Sequence, residues 1–222
     1  MSTSPLRLAV LISVRGSNLQ AIVDAIAAGR LAAQVALVLS NRPGAAGLEL
    51  AAGAGLPTAV VDHRQYPDRA AFERALVVAL DAARPDLLVL AGFMRVLTAD
   101  FVQRYRGRLI NIHPSLLPAF AGLDTHARAL AAGASEHGAS VHFVTAAVDG
   151  GPLIAQTRVP VMADDTPDTL ARRVLCAEHR LYPQVIGWYA AGRLVLNGEA
   201  VQLDGLPLTS PVQLECEMTD HA

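Results

Sequence analysis

The sequence predicts an α/β fold: an open, twisted, mostly parallel sheet with an antiparallel C-terminal part. Three observations predict it. Through the first half, short apolar runs alternate with stretches of helical periodicity, the pattern of strands joined by crossover helices. Those runs are apolar almost throughout, as in strands covered on both faces. In the second half, two strand-like stretches flank Asp149-Gly150-Gly151-Pro152, which marks an antiparallel pair.

Leu8–Ile12 reads as a buried strand. Residues 17–28 read as a helix, because Leu19, Ile22, Val23 and Ile26 fall at i, i+3, i+4 and i+7. Residues 35–39 form a strand ended by the turn cluster Ser40-Asn41-Arg42-Pro43-Gly44. Residues 46–54 read as a small-residue helix, and 58–61 as a short strand. A helix over 69–83 carries Phe72, Leu76 and Leu80 along one face. After the Arg84-Pro85-Asp86 break, 87–90 is a strand. A helix over 98–105, capped by Thr98, leads to a strand over 108–112. The strands over 137–145 and 153–161 follow. Residues 166–191 are helical, with Thr166 as N-cap and Pro167 in the first turn, and Pro183 is expected to kink or interrupt them. Two short strands surround Asn197-Gly198. The tail after Leu206 is polar and proline-broken, and is expected to be loosely held.

Composition narrows the chemistry. Of 222 residues, 40 are alanine, 18 are arginine and none is lysine. A lysine Schiff base and a P-loop are therefore excluded. Any cation that grips a substrate must be arginine, protonated histidine or the positive end of a helix. The net charge of −2 gives no basic surface for nucleic acid or membrane, and Arg104, Arg106 and Arg108 read as solvated. Cys176 and Cys216 form neither a metal-ligand pattern nor a disulfide framework, so free thiols in a reducing compartment are expected. No signal peptide and no apolar stretch near the ~20 residues of a membrane helix is read. A cytoplasmic protein with small-molecule substrates is expected, a monomer or homodimer, with no nucleic-acid partner and no metal.

In a parallel sheet, ligands bind beyond the carboxyl ends of the strands, so residues after Ile12, Leu90 and Ile112 should face one crevice. Ser13-Val14-Arg15-Gly16-Ser17-Asn18 opens the first helix there. It suits a phosphate held by backbone N–H groups, and it equally suits an ordinary capped turn. Val14 stands where a dinucleotide loop would carry a further glycine. Asn111-Ile112-His113-Pro114-Ser115-Leu116-Leu117-Pro118 is more specific. Asn111 and His113 share a parity on their strand. Together, an amide and an imidazole can stabilise an oxyanion and move a proton near neutral pH. Asp149 is either a hairpin turn residue or a loop carboxylate that would stabilise a protonated His113.

These segments, with Ala91-Gly92-Phe93-Met94-Arg95, His137 to His142 and Val148 to Pro152, resemble the folate-dependent formyltransferases. The resemblance runs from about Leu8 to about Gly205. Gly16-Ser17-Asn18 and Glu178-His179 are similar to the glycinamide ribonucleotide branch. The resemblance implies a Rossmann-like fold and one domain over 1–222: a phosphate-binding half over about 7–105, a catalytic and folate half over about 106–205, and a tail over 206–222. It implies transfer of the formyl group of 10-formyltetrahydrofolate to the amine of 5'-phosphoribosylglycinamide, through a tetrahedral intermediate, in purine biosynthesis. It assigns catalysis to Asn111, His113 and Asp149, and the ribonucleotide to Gly16, Ser17, Asn18 and Glu178. The folate falls to Arg69, Met94, Arg95, Val96, Leu97, Thr145, Ala146 and Val148, with Ser140 supporting the trio. At Ala119 and Ala121 the chain departs from relatives that carry a basic residue and a proline.

Rival readings are other formyl-group enzymes, acting on tRNA or a sugar nucleotide or hydrolysing formyl-folate, and a non-catalytic binding module. The slightly acidic charge weighs against the tRNA enzyme, which is also expected to be longer, and the hydrolase is expected to carry an extra N-terminal domain. The trio weighs against a pure binding module.

Overall fold

The computed structural model of the chain describes residues 4–215. The elements run β1 (Leu6–Ile12), α1 (Ser17–Ala27), β2 (Ala33–Ser40), α2 (Ala46–Gly53), β3 (Thr58–Val60), a short 3₁₀ turn (His63–Gln65), α3 (Arg69–Ala83), β4 (Leu87–Leu90), α4 (Ala99–Arg104), β5 (Leu109–His113), α5 (Thr125–Ala131), β6 (Glu136–Phe143), β7 (Leu153–Pro160), α6 (Pro167–Ala190), β8 (Leu194–Asn197), β9 (Ala200–Leu203), β10 (Leu206–Pro207) and β11 (Val212–Leu214). Eight strands form the main sheet in the order β11-β7-β6-β5-β4-β1-β2-β3, and β10-β9-β8 form a small antiparallel one.

Strands β3, β2, β1, β4 and β5 pair in parallel, while β6 pairs antiparallel with both β5 and β7. The sheet order reverses between β1 and β4, the place where such sheets open a crevice. Register carries the carboxyl ends to one level, since Leu11 pairs with Leu90 and Leu90 with Asn111. The loops after β1, β4 and β5 therefore leave the same edge, as the alternating pattern predicts.

Two buried clusters cover the two faces. Leu19 and Ile22 of α1 with Val174, Leu181 and Ile186 of α6 pack on one face; Phe72, Leu76 and Leu80 of α3 with Phe101 of α4 pack on the other. Burial of this kind contributes about 25 cal/mol per Å² of apolar surface and carries most of the drive to fold. The caps lie where the sequence puts them: Thr98 accepts from Phe101 N–H, and Thr166 and Thr169 close a reciprocal capping box with Pro167 behind it.

Three expectations are corrected. Of the kink or interruption expected at Pro183, the interruption does not occur: α6 continues through it, with Leu181, Tyr182, Val185 and Ile186 buried on either side. The tail after Leu206 is not loose over its described part. Leu206–Pro207 pairs with β9, and Val212–Leu214 completes the edge of the main sheet beside β7. The reason is the unpaired edge of β7, which three residues of extended chain satisfy. Arg158 Nε also donates to Gln213 Oε1 at 3.2 Å. Finally, α5 arises in a segment whose short Thr-His-Ala-Arg-Ala-Leu-Ala run was not read as a helix. Cys176 is an exposed free thiol, whereas Cys216 lies outside the described residues.

Candidate active site

The site is built where β5 and β6 run side by side. Asn111 and His113 point the same way from β5, and His142 lies opposite Asn111 on β6. The loop from β6 to β7 folds back over this face. Asp149, at its turn with φ 50°, comes within 3.3 Å of His113 Nδ1 and 3.8 Å of His142 Nε2. Gly151 lets that loop close: a Cβ there would lie 1.8 Å from the Phe143 carbonyl oxygen. The structure thus brings Asn111, His113 and Asp149 together around His142.

Protons in the cluster follow from the partners. His142 Nδ1 is 2.9 Å from the Phe143 carbonyl, which only accepts, so Nδ1 carries the hydrogen. Its Nε2, at 3.1 Å, then accepts from Asn111 Nδ2. Burial lowers the pKa of His142, which favours this neutral form. The Asn111 amide is therefore oriented, with its second N–H and its carbonyl oxygen left for other partners. His113 faces acceptors on both sides, Asp149 at Nδ1 and the Phe120 carbonyl 3.2 Å from Nε2.

The turn after His113 is held from beneath. Ser140 Oγ donates to the Ser115 carbonyl at 2.6 Å and accepts from Leu117 N–H at 3.0 Å. Gln156 Nε2 donates to the Leu117 carbonyl at 2.8 Å and to Ser140 Oγ at 2.9 Å. Gln156 was missed in the sequence, where a glutamine inside a strand carries no signal. Further out, Gly122 N–H donates to Asp149 Oδ2 at 2.9 Å. Arg128 reaches this turn from α5: it donates to the Ala121 carbonyl at 2.7 Å and lies over the Phe120 ring. His126 and His137 stack edge-to-face beside Phe120. Burial, with the nearby His126 and His113, pushes the His137 pKa down to about 4.

The expected phosphate loop lies at the start of α1. Gly16 is its N-cap, with φ 77°, and a Cβ there would sit 2.8 Å from Gly47 Cα, so the position requires glycine on two counts. Val14 is outside the left-handed region and 41% exposed, so the backbone does not need a glycine at that point. Ser17 is half-buried. Asn18 is buried and donates from Nδ2 to Glu178 Oε2 at 2.7 Å, tying α1 to α6. Burial raises the pKa of Glu178 to about 7, partly offset by Asn18. The Asn18 side-chain oxygen, Oδ1, is buried without a hydrogen-bond partner.

The loop from Ala91 to Thr98 exposes two apolar side chains, Met94 at 54% and Val96 at 48%, while Leu97 is buried and Arg95 half-buried. Its far end is tied by Glu73, which accepts from Thr98 N–H at 2.7 Å and from the Thr98 hydroxyl. In the β6–β7 loop Val148 and Ala146 are exposed and Thr145 is half-buried. Arg69 is exposed at the first turn of α3. No hydrogen bond joins Arg69 to the trio among the described residues. Nor do these residues contain a group of three or more His, Cys, Asp or Glu side chains able to hold a metal ion.

Comparison with known proteins adds a second line. Residues 6–186 match the formyl transferase family. The chain is 50% identical to the phosphoribosylglycinamide formyltransferase of Escherichia coli over 200 residues, covering 90% of this chain and 94% of that one. It is 51% identical to the solved phosphoribosylglycinamide formyltransferase of Coxiella burnetii, with a TM-score of 0.92 over 95% of this chain and all of the other. A formyltetrahydrofolate deformylase from Pseudomonas putida is 27% identical, with a TM-score of 0.81 over 90% of this chain and 70% of that one.

Proposed function

The chain belongs to the formyl transferase family, and from that premise we propose that it moves the formyl group of 10-formyltetrahydrofolate onto the amine of 5'-phosphoribosylglycinamide, a step of purine biosynthesis. The carrying observation is the 3.3 Å pair of His113 and Asp149 beside an Asn111 amide whose orientation His142 fixes.

Attack of the amine on the formyl carbon forms a C–N bond and places negative charge on the formyl oxygen. Asn111 Nδ2 and protonated His113 donate to that oxyanion, and one such donor is typically worth about 3 kcal/mol of transition-state stabilisation. Asp149 balances the charge on His113 and takes the proton released by the attacking nitrogen, directly or through water. Collapse of the intermediate breaks the bond to the folate nitrogen, which leaves with a proton.

Gly16, Ser17 and Asn18 would hold the phosphate at the N-terminus of α1, with Glu178 on the ribose hydroxyls. The folate supplies the activated formyl group. The exposed apolar side chains of Met94, Val96 and Val148 suit its flat rings, with Arg95, Leu97, Thr145 and Ala146 completing the wall and Arg69 taking the glutamate tail. Ser140 would support the turn that carries His113. The proposal sets the reaction in the cytoplasm, with small-molecule substrates; no described helix is long and apolar enough to cross a membrane.

The test is an assay of purified protein with 10-formyltetrahydrofolate, with and without 5'-phosphoribosylglycinamide. Formylated product that requires the amine supports the transfer. Formate released at the same rate without the amine would make the chain a deformylase and overturn the proposal.

A further inference from the structure

The Ser13 hydroxyl lies outside the chemistry described above, yet it touches the loops expected to hold both substrates. Ser13 is the first residue after β1 and opens the loop that leads to Gly16. It is 1% exposed. Its N–H donates to the Gly92 carbonyl at 3.1 Å, and its Oγ accepts from Met94 N–H at 2.7 Å. Both ends of Gly92-Phe93-Met94 are therefore clipped to one residue.

The polarity of the clip is fixed. Met94 N–H only donates, so the Ser13 hydroxyl hydrogen must point elsewhere. It goes to Asn41 Oδ1 at 2.6 Å. Asn41, also 1% exposed, lies just past β2 and is not part of either loop. His63 Nδ1 lies 3.1 Å from Asn41 Nδ2 and 2.9 Å from the Asn41 backbone carbonyl, and its tautomer decides which of the two it bonds. The chain of bonds runs Met94 N–H to Ser13 to Asn41. The Ser13–Asn41 bond is buried, so Asn41 Oδ1 finds no water if the hydroxyl is removed, whereas the Met94 end is only partly buried and its residue is 54% exposed.

We infer that Ser13 and Asn41 are positioning residues for the formyl-folate: their hydrogen bond aims the Ser13 oxygen at Met94 N–H and so fixes the loop that presents Met94 and Val96. This rests on the reading of residues 94–97 as the folate wall. Loss of the bond frees the middle of that loop, while the Ser13 N–H bond to Gly92 and the phosphate loop remain. The cost falls on binding of one substrate and not on the trio.

The experiment is steady-state kinetics on Ser13→Ala, Asn41→Ala, the double variant and Val96→Asp. Ser13→Ala removes one oxygen. Asn41→Ala acts on the same bond from outside both loops, and serves if the first variant does not fold. The expected result is a KM for formyl-folate raised on the order of tenfold in each single variant. The KM for the amine substrate and kcat should stay within about twofold. The double variant should be no worse than the worse single one, since Ser13→Ala already removes the Ser13–Asn41 bond along with the bond from Met94 N–H. An unchanged formyl-folate KM in a folded single variant, or additive losses in the double, would overturn the inference. Val96→Asp separates this from failure of the wall reading. If it leaves the formyl-folate KM unchanged, the wall itself is wrong and the inference goes with it. If it raises that KM while Ser13→Ala and Asn41→Ala do not, only the positioning role is lost.

Discussion

His142 accepts a hydrogen bond from Asn111: Nε2 and Nδ2 are 3.1 Å apart, while the other ring nitrogen is committed to the Phe143 carbonyl. An asparagine amide is close to symmetric in shape, and without this contact either end could face the reacting oxygen. Turned the wrong way, it would present an acceptor to an oxyanion. His142→Ala should therefore lower kcat about tenfold and leave both KM values nearly unchanged, because the lost interaction matters most when negative charge develops. Asn111→Ala should cost more. Steady-state kinetics read the split; a raised KM with normal kcat would show that His142 serves binding instead.

The parallel half of the fold was legible because both-face burial writes itself into sequence as short apolar runs. Leu87–Leu90 and Arg69–Ala83 come out with the boundaries the pattern gives. The pairing of Asn111 and His113 was legible for another reason, since they share one strand face by parity. Asp149 read equally as an ordinary hairpin turn residue, was joined to them only by the family resemblance, and is brought within 3.3 Å of His113 by the fold. What stayed hidden depends on contacts between distant segments. His142 reads as a core histidine until Asn111 is seen opposite it. Gln156 is a polar residue in a strand, and only the fold sets it beside Leu117 and Ser140, the latter already marked by the family resemblance. Strand β11 was invisible because Val212–Leu214 has no strand signature; it is recruited by the open edge of β7. Ala119 looked like a missing cation, yet Arg128 reaches the same turn from α5.

Glu178 makes stability depend on pH in a direction unusual for a carboxylate. Its pKa rises from 4.5 to about 7 on folding because burial disfavours its charge. Below pH 4.5 both states are protonated and nothing is lost. Between 4.5 and 7 the unfolded chain releases a proton that the folded chain retains, so stability falls as pH rises, and it levels off above 7. Glu178→Gln does not titrate. Its stability relative to wild type should climb by about 3 kcal/mol across that window, measured by urea unfolding at a series of pH values. A constant difference would mean that Glu178 is ionised in the folded protein throughout.

His137 acts with the opposite sign. Burial beside Phe120 and His126 lowers its pKa from 6.5 to about 4. Above pH 6.5 the ring is neutral in both states, and its contribution is fully present. As pH falls from 6.5 through 4 the unfolded chain takes up a proton first, so stability is lost. The difference in unfolding free energy between wild type and His137→Gln should therefore shrink on acidification over that range. His126, His142 and His179 are also lowered by burial and add to the His137 slope. Between pH 4.5 and 6.5 the rise of stability with pH should therefore be steeper in Glu178→Gln and shallower in His137→Gln than in the wild type.

Gly151 links strand pairing to the position of the Asp149 carboxylate, the proposed proton acceptor. Its backbone lies so close to β6 that a Cβ would stand 1.8 Å from the Phe143 carbonyl oxygen. No rotamer relieves that overlap, since both partners are backbone or fixed to it. Gly151→Ala must shift the loop by more than an ångström, weakening the bond from Phe143 N–H to the Pro152 carbonyl, 3.0 Å in the native chain. Asp149 lies two residues away and moves with it. A misplacement of about 1 Å at a reacting group can cost on the order of 10²-fold, so kcat should fall by about that factor. Gly53→Ala is the control, because a Cβ there meets nothing within 4 Å and the residue lies in helix α2. It should retain wild-type turnover. Equal activity in the two variants would mean that the β6–β7 loop relaxes without carrying Asp149 away from His113.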